Sequence, residues 1–198
     1  MNEANETLKI AYGDESVRVS STPPLYLLAA TVLADEGSHG LEALEKLVPK
    51  GAKKLHWRDM TNRLQSRSLA QISSMEQTTT IVVASPLDKI KQERARRKCL
   101  ARLLVCLEET GVEKLVLESR KDELDKRDRD CLLYLRRSNA IWGIDIEHVP
   151  GDEDPRLWLP DQILGAYGDV LSESGHFKKW VDKWESMADD VEVIEIGL

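Results

Sequence analysis

Short apolar stretches recur along the chain and predict five β-strands. Apolar and polar residues alternate over residues 8–12, and a continuous apolar run at 25–33 is typical of a buried central strand. Further stretches rich in apolar residues predict three more strands, at 78–84, 113–118 and 141–149. A turn cluster at 20–24 separates the first two strands, which therefore form a predicted hairpin.

Helical spacing of apolar residues predicts helices between these strands. A short helix at 41–48 and a longer one at 57–75 precede the third strand. Later helices are predicted at 88–110, 131–137, 158–167 and 177–187. For the first of these, Asp88 is the expected N-cap and Gly111 the expected C-cap. The highly charged segment 119–130 is expected to lead from the fourth strand into the helix that follows it, either as a mobile loop near the site or as a surface helix.

This order of elements predicts an α/β fold with a mixed five-stranded sheet flanked by helices, in an RNase H-like arrangement, although the pattern alone leaves other α+β folds open. Three antiparallel strands come first, and right-handed crossovers through helices then place the fourth strand beside the first. We expect a single domain over 1–198, with its core at about 8–168. The remainder, 169–198, would hold a C-terminal helix and an alternating segment, 191–196, that could form an additional edge strand.

Composition narrows the class of protein. Hydrophobic residues make up 41% of the chain, but no apolar stretch approaches the roughly 20 residues that span a bilayer. The first twenty residues lack a secretory-signal pattern. The three cysteines show no metal-binding spacing and are expected to be buried free thiols. Together these features predict a cytoplasmic protein without membrane contact.

Carboxylates stand where several predicted elements end or turn inward. Asp14 and Glu15 lie at the exit of the first strand, Glu118 ends the fourth, and Asp161 lies on an otherwise apolar helix. Metal-dependent phosphodiester cleavage needs carboxylates that converge from different elements, and such oxygen ligands suit Mg²⁺ or Mn²⁺. The alternatives are that Asp14 marks a turn, that Glu118 is a solvated strand end and that Asp161 caps its helix.

Three segments resemble the bacterial domain-of-unknown-function family 3800. Residues 10–16, with the sequence IAYGDES, resemble the opening strand of that family, which ends in Asp-Glu-Ser. Residues 54–58, KLHWR, are similar to its short His-containing segment before a helix, and 159–167 are similar to its closing helix. The resemblance covers about 8–168, most of the chain.

The resemblance implies an RNase H-like fold and metal-dependent nuclease chemistry. It implies Asp14, Glu118 and Asp161 as the metal ligands, with Glu15 as a further candidate. The sequence departs from the family pattern at Val17, where Gly is usual, and at Glu118, where Asp is more usual.

Basic and imidazole side chains supply further candidates. His56 could transfer a proton or contact a phosphate, or could simply begin a helix. Four arginines could bind nucleic acid, and each could equally be a solvated surface residue: Arg58, Arg94, Arg97 and Arg120. The net charge of −7 argues against a protein that coats nucleic acid by bulk electrostatics, but not against a nuclease with local basic contacts.

Two functions follow from these observations. The first is a metal-dependent nuclease that acts on RNA or DNA with Mg²⁺ or Mn²⁺. The second is a catalytically inactive RNase H-like interaction module that acts with a protein partner or as a homodimer. Trp180 and Trp184, four residues apart, could serve the second function as a partner-facing stripe, or could pack in the core.

Overall fold

Six strands form one mixed sheet in the computed structural model, which describes residues 8–34, 38–87, 92–171 and 180–198. The strands are β1 (Ile10–Arg18), β2 (Leu25–Leu33), β3 (Gln77–Ser85), β4 (Lys114–Glu118), β5 (Asp145–Val149) and β6 (Val191–Gly197). The helices are α1 (Ser38–Glu45), α2 (Asn62–Ile72), α3 (Gln92–Glu109), α4 (Asp122–Arg137), α5 (Trp158–Leu171) and α6 (Val181–Glu185). The predicted α/β class and mixed sheet are confirmed.

The strand order is β5-β4-β1-β2-β3-β6. β1, β2 and β3 are antiparallel neighbours, β4 is parallel to β1, and β5 is parallel to β4. The predicted count of five strands is wrong, because the alternating C-terminal segment pairs in parallel with β3 from Thr79↔Val191 to Ser85↔Gly197. The pairing satisfies the backbone groups along the edge of β3, which a five-stranded sheet would leave exposed.

β1 is longer than the alternating pattern predicts. Its pairing with β2 continues to Arg18↔Leu25, whereas its pairing with β4 ends at Gly13↔Leu117. Asp14 and Glu15 therefore lie inside the strand, not at its exit, and they lie where one neighbouring strand has ended. A Cβ atom on Gly13 would come within 2.9 Å of the Ala29 carbonyl oxygen, so glycine permits close approach of these strands.

The sheet is covered on both faces. Tyr26, Leu28 and Ala30 of β2 pack in a core with α3 and α4, while Leu27 and Ala29 pack in a second core with α2 and α5. Burial on both faces explains why the second strand is a continuous apolar run instead of an alternating one.

Two predicted helices have different bounds in the structure. The helix predicted at 57–75 is divided into a 3₁₀ turn at Trp57–Asp59 and α2, because the Thr61 side chain caps the N-terminus of α2. The helix predicted at 131–137 begins nine residues earlier, at Asp122. Three acidic residues in its first turn favour that start, since negative charge stabilises a helix N-terminus.

The fifth strand begins later than predicted. The carboxylate of Glu108 accepts hydrogen bonds from the backbone N–H groups of Trp142, Gly143 and Ile144. These bonds replace the ladder bonds that a strand would make, so the strand starts at Asp145.

Gly111 has φ +79° beyond the end of α3, in agreement with its expected C-cap role.

Some predicted features fall on residues outside the described ones. Asp88 and the start of its helix lie there, as does the first part of the helix predicted at 177–187; the described remainder of that helix is α6. Among the described residues, no helix combines the length and the apolar character needed to cross a membrane. The three cysteines are free and buried, as predicted, and burial raises the pKa of Cys99 to about 12 and that of Cys131 to about 11.

Trp57 anchors the second core. Its ring meets the ring of Trp180 edge-on, with centroids 5.3 Å apart, and its indole N–H donates to Asp169 at 2.9 Å. The ring lies directly over Gly165 of α5. Trp180 is fully buried, so the structure places this residue in the core rather than on a partner-facing surface.

Gly165→Ala is expected to lower the free energy of unfolding by about 2 kcal/mol. Overpacking a core costs typically about 1–3 kcal/mol, and a Cβ here would overlap the Trp57 ring severely, while helix propensity offsets roughly 1 kcal/mol. Urea unfolding followed by circular dichroism would measure the change. Gly197→Ala is the control, because a Cβ there has open space around it; equal stability of the two variants would contradict this account.

Candidate active site

A recess of about 240 Å³ opens where β4 ends beside the middle of β1. The parallel partner strand stops at Glu118, so the second half of β1 is uncovered on that side and its side chains reach the recess. Seven of the lining side chains are ionisable: Asp14, Glu15, Lys54, His56, Arg96, Glu118 and Arg120. The structure therefore brings together residues from four separate parts of the chain.

Asp14 carries the most perturbed carboxyl group of the recess. Burial raises its pKa well above the usual value, and the negative charges of Asp161, Glu118 and Glu15 raise it further. A hydrogen bond from the backbone N–H of Glu15 lowers the pKa of Asp14 but does not offset these effects. Within the part of the chain that the structure describes, no basic side chain forms an ion pair with Asp14. Its negative charge is therefore uncompensated.

Asp161 lies next to the recess and is held by three hydrogen bonds. Its oxygens accept from the Trp57 backbone N–H at 2.8 Å and from the Gln162 amide at 3.0 Å, and one lies 3.1 Å from His56 Nδ1. α5 begins three residues earlier, at Trp158, and the carboxylate bonds the 56–57 segment. The structure therefore places Asp161 as a clamp on that segment, not as the helix cap that the sequence left open.

His56 depends on this clamp for its ionisation. The hydrogen bond to Asp161 raises the pKa of His56 above 6.5, although partial burial and the nearby charges of Arg58 and Lys54 act in the opposite direction. A raised pKa favours the imidazolium form near neutral pH. The ring lies on the wall of the recess, so a proton donor stands beside the carboxylates.

Glu118 forms an ion pair with the Lys54 ammonium. Both side chains are about one-third exposed, so solvent can reach this pair. A Cβ on Gly151 would overlap the Glu118 carboxylate, which means that the glycine leaves room for it against the backbone of the β5–α5 connection. Gly151 thus leaves space for the Glu118 carboxylate, and Lys54 balances its negative charge.

Glu15 belongs to a neighbouring network rather than to the group around Asp14. Its carboxylate accepts a hydrogen bond from Arg96 at 2.6 Å and another from the Tyr26 hydroxyl. Arg96 is 3% exposed, so a buried cation holds Glu15. Of the four acids named from the sequence, Asp14, Glu118 and Asp161 interact as one group, and Glu15 is held to the side.

A second acidic group lies on the other side of Arg96. Asp125, Asp128 and His148 each offer one ligand atom, and these atoms lie within 4.8 Å of one another, so this buried group could hold a metal ion. Sequence reasoning missed it because 119–130 was interpreted as a connecting segment. The available signal was two aspartates three apart, on one face of a helix, followed by a histidine in the next strand.

Arginines already neutralise this second group. Asp128 accepts from Arg96 at 2.7 and 3.0 Å and from Arg120 at 3.2 Å. Burial alone would raise the pKa of Asp128, but the hydrogen bonds from His148 and Arg96 and the arginine charges lower it. Both Asp125 oxygens accept from the backbone N–H of Arg120. The geometry favours a buried ion-pair network over a cation site.

The four arginines named from the sequence have different surroundings. Arg58, Arg94 and Arg97 are exposed. The Arg120 side chain is 15% exposed and pairs with Glu93 at 3.0 Å, in addition to Asp128. Arg120 lines the recess, but its guanidinium is largely used by protein carboxylates.

Fold and site together define an α/β protein whose six-stranded mixed sheet carries a recessed carboxylate group. The sequence matches none of the protein-family models compared with it, and no curated protein matches it.

Asp14→Asn is expected to raise the melting temperature of the chelator-treated protein at pH 7.5. The pKa of Asp14 is raised in the folded state, so folding takes up a proton and stability falls as pH rises above the unfolded pKa near 3.8. The advantage of the variant should therefore grow from pH 4 to pH 7.5. Thermal melts across this range, with Glu153→Gln, an exposed change in the β5–α5 connection, as control, would test it; a variant no more stable than wild type at pH 7.5 would contradict it.

Asp128→Asn is expected to lower the free energy of unfolding by about 3 kcal/mol, because the variant removes one of the two carboxylates that balance the buried charge of Arg96 and leaves only Glu15. Chemical unfolding would measure the loss. Asp130→Asn, an exposed change on the same helix, is the matched control and should stay within about 0.5 kcal/mol of wild type. A small effect at Asp128 would mean that the network contributes little to stability.

Proposed function

We propose that this protein is a metal-dependent nuclease of the RNase H-like type, related to the bacterial domain-of-unknown-function family 3800. One observation carries the proposal: burial and the charges of Asp161 and Glu118, from two other elements, raise the pKa of Asp14 at the recess, and no basic side chain of the described residues pairs with Asp14. A carboxyl group whose pKa is raised by burial and by neighbouring acids, as that of Asp14 is, occurs at functional sites more often than elsewhere.

The sheet supports this proposal. Three antiparallel strands are followed by two strands parallel to the first, and the fourth strand lies beside the first. This is the arrangement of an RNase H-like sheet, and it places Asp14 on the central strand next to the end of β4. The sixth strand lies on the far edge, away from the recess.

The acids at and beside the recess are of the ligand type that a divalent cation takes, whereas among the described residues it is Asp125, Asp128 and His148 that bring three ligand atoms within 4.8 Å of one another. Carboxylate oxygens are the ligands that Mg²⁺ and Mn²⁺ prefer, and uncompensated negative charge on Asp14 would favour binding. Asp14, Glu118 and Asp161 would hold the ion. When bound, it would activate the attacking water and stabilise the leaving oxygen of a phosphodiester.

The remaining side chains perform the proton and charge steps. His56, held by Asp161 in a state that favours protonation, donates a proton to the leaving oxygen. Lys54, on the wall of the recess, offsets the charge of the phosphodiester as it approaches Glu118. The exposed Arg58 lies near His56 and contributes positive charge at the entrance.

A second candidate is the inactive interaction module, and the Lys54–Glu118 ion pair is the observation that favours it. An ammonium group beside a carboxylate can replace a metal ion as the counter-charge. In that case the recess would be an electrostatically balanced remnant, and the protein would act through partners.

Cleavage of labelled nucleic acids tests the two candidates. Single-stranded RNA, single-stranded DNA, duplexes and an RNA–DNA hybrid would each be incubated with Mn²⁺, Mg²⁺ or chelator. Asp14→Asn and Asp161→Asn should each reduce the rate more than about 100-fold, since even groups that only support a metal ligand are worth about 10–100-fold.

Glu123→Gln, an exposed change on α4, should leave the rate unchanged. Cleavage that persists in chelator, or that survives both aspartate substitutions, would contradict the nuclease proposal. Absence of cleavage together with absence of Mn²⁺ binding by calorimetry would favour the interaction module.

A further inference from the structure

A groove of about 770 Å³ runs between α3 and α4, beside the recess. We call it the α3–α4 groove; its walls include Arg94, Arg97, Lys98, Arg127 and Tyr134. Arg96 lines both the groove and the recess, so the two cavities share a wall residue. We propose that the α3–α4 groove binds a single-stranded nucleic acid and leads it to the carboxylates. This inference rests on the proposed function and names its substrate class.

Charge distinguishes this groove from the rest of the molecule. Five basic and three acidic side chains line it, whereas the chain as a whole has a net charge of −7. Glu93 and Asp128 pair with Arg127 and Arg96, two of those five basic side chains, which leaves three basic side chains, Arg94, Arg97 and Lys98, against Asp130. Arg94 and Arg97 are exposed and form no ion pair among the residues that the structure describes. The groove is therefore a local positive surface that complements a phosphate backbone.

An aromatic side chain stands at the same groove. Tyr134 is 69% exposed, so its ring is accessible to a ligand in the groove. Proteins that bind single strands combine a basic groove with exposed aromatic rings on which bases stack. Tyr134 and the arginines supply both parts within one cavity.

The same features favour a single strand over a duplex. The bases of a duplex are stacked on one another and do not offer their faces to Tyr134, whereas those of a single strand do. A duplex also presents a higher charge density to a protein that is acidic overall. The recess, at about 240 Å³, is small enough to favour one backbone segment over a whole helix.

Binding measured separately from cleavage tests the inference. Fluorescein-labelled 20-nucleotide single strands and the matching duplex would be titrated with the full-length Asp14→Asn protein in chelator, with anisotropy as the readout. Single strands should bind more tightly than the duplex. Tyr134→Ala should weaken binding by about fivefold or more, and Tyr134→Phe should restore it, because a stacking ring needs no hydroxyl.

Two control variants are available in the same chain. Trp142 is 73% exposed but lies in a cavity lined by Glu108, Glu109 and Glu113, so Trp142→Ala should leave binding unchanged. Salt dependence is measured as the slope of the logarithm of the binding constant against the logarithm of the salt concentration. The double variant Arg94→Ala/Arg97→Ala should make this slope less steep by about 0.7 for each phosphate that it no longer neutralises. The double variant Arg63→Ala/Arg67→Ala, on α2 at the opposite face of the sheet, should leave the salt dependence unchanged.

Three results would overturn the inference: preference for the duplex, equal affinity of Tyr134→Ala and wild type, or competition by polyglutamate as effective as that by single strands. The last would indicate a surface for acidic proteins. Failure of the proposed function can be told apart from failure of this inference. Stacking at Tyr134 without metal-dependent cleavage would support the groove and contradict the nuclease. Metal-dependent cleavage without any effect of Tyr134 substitution would support the nuclease and contradict the groove.

Discussion

Carboxylates buried side by side repel one another, and the arrangement around the recess depends on how that repulsion is offset. Asp161 is stabilised by the backbone N–H of Trp57 and by His56, and Glu118 by the ammonium group of Lys54. Asp14 has no such cation among the described side chains, and burial together with the charges of the neighbouring acids raises its pKa. A divalent ion would remove this imbalance, which is why the proposed chemistry centres on this carboxylate.

The offsetting groups come from one short segment, 54–57, which has no regular structure except its entry into a 3₁₀ turn. Packing positions it: Trp57 lies over Gly165 and against Trp180, so His56 and Lys54 face the acids. The packing of Trp57 against α5 and Trp180, in the second core, therefore determines where the charges of His56 and Lys54 lie at the recess. Stability and the proposed activity should respond together to changes at this contact.

A second buried network separates the acids into two groups with different roles. Arg96 forms ion pairs with both Glu15 and Asp128, and Arg120 forms a second ion pair with Asp128. These pairs hold α3 and α4 to the end of the sheet and leave other arginines of α3 facing solvent. The same helix thus contributes a buried structural cation and an exposed basic surface, which lie on different sides of it.

Periodicity and turn residues are local properties, so they were sufficient to predict the α/β class, the continuous strand at 25–33, its antiparallel neighbours and the types of side chain around the recess. The alternation at 191–196 also indicated a possible added strand, but its pairing with β3, the full length of β1 and the choice of which acids are neutralised depended on tertiary packing. Asp161 and Trp57 bond across 104 residues, and Arg96 reaches Glu15 across 81. Burial and pairing at such separations depend on how the elements pack, and no local pattern encodes them.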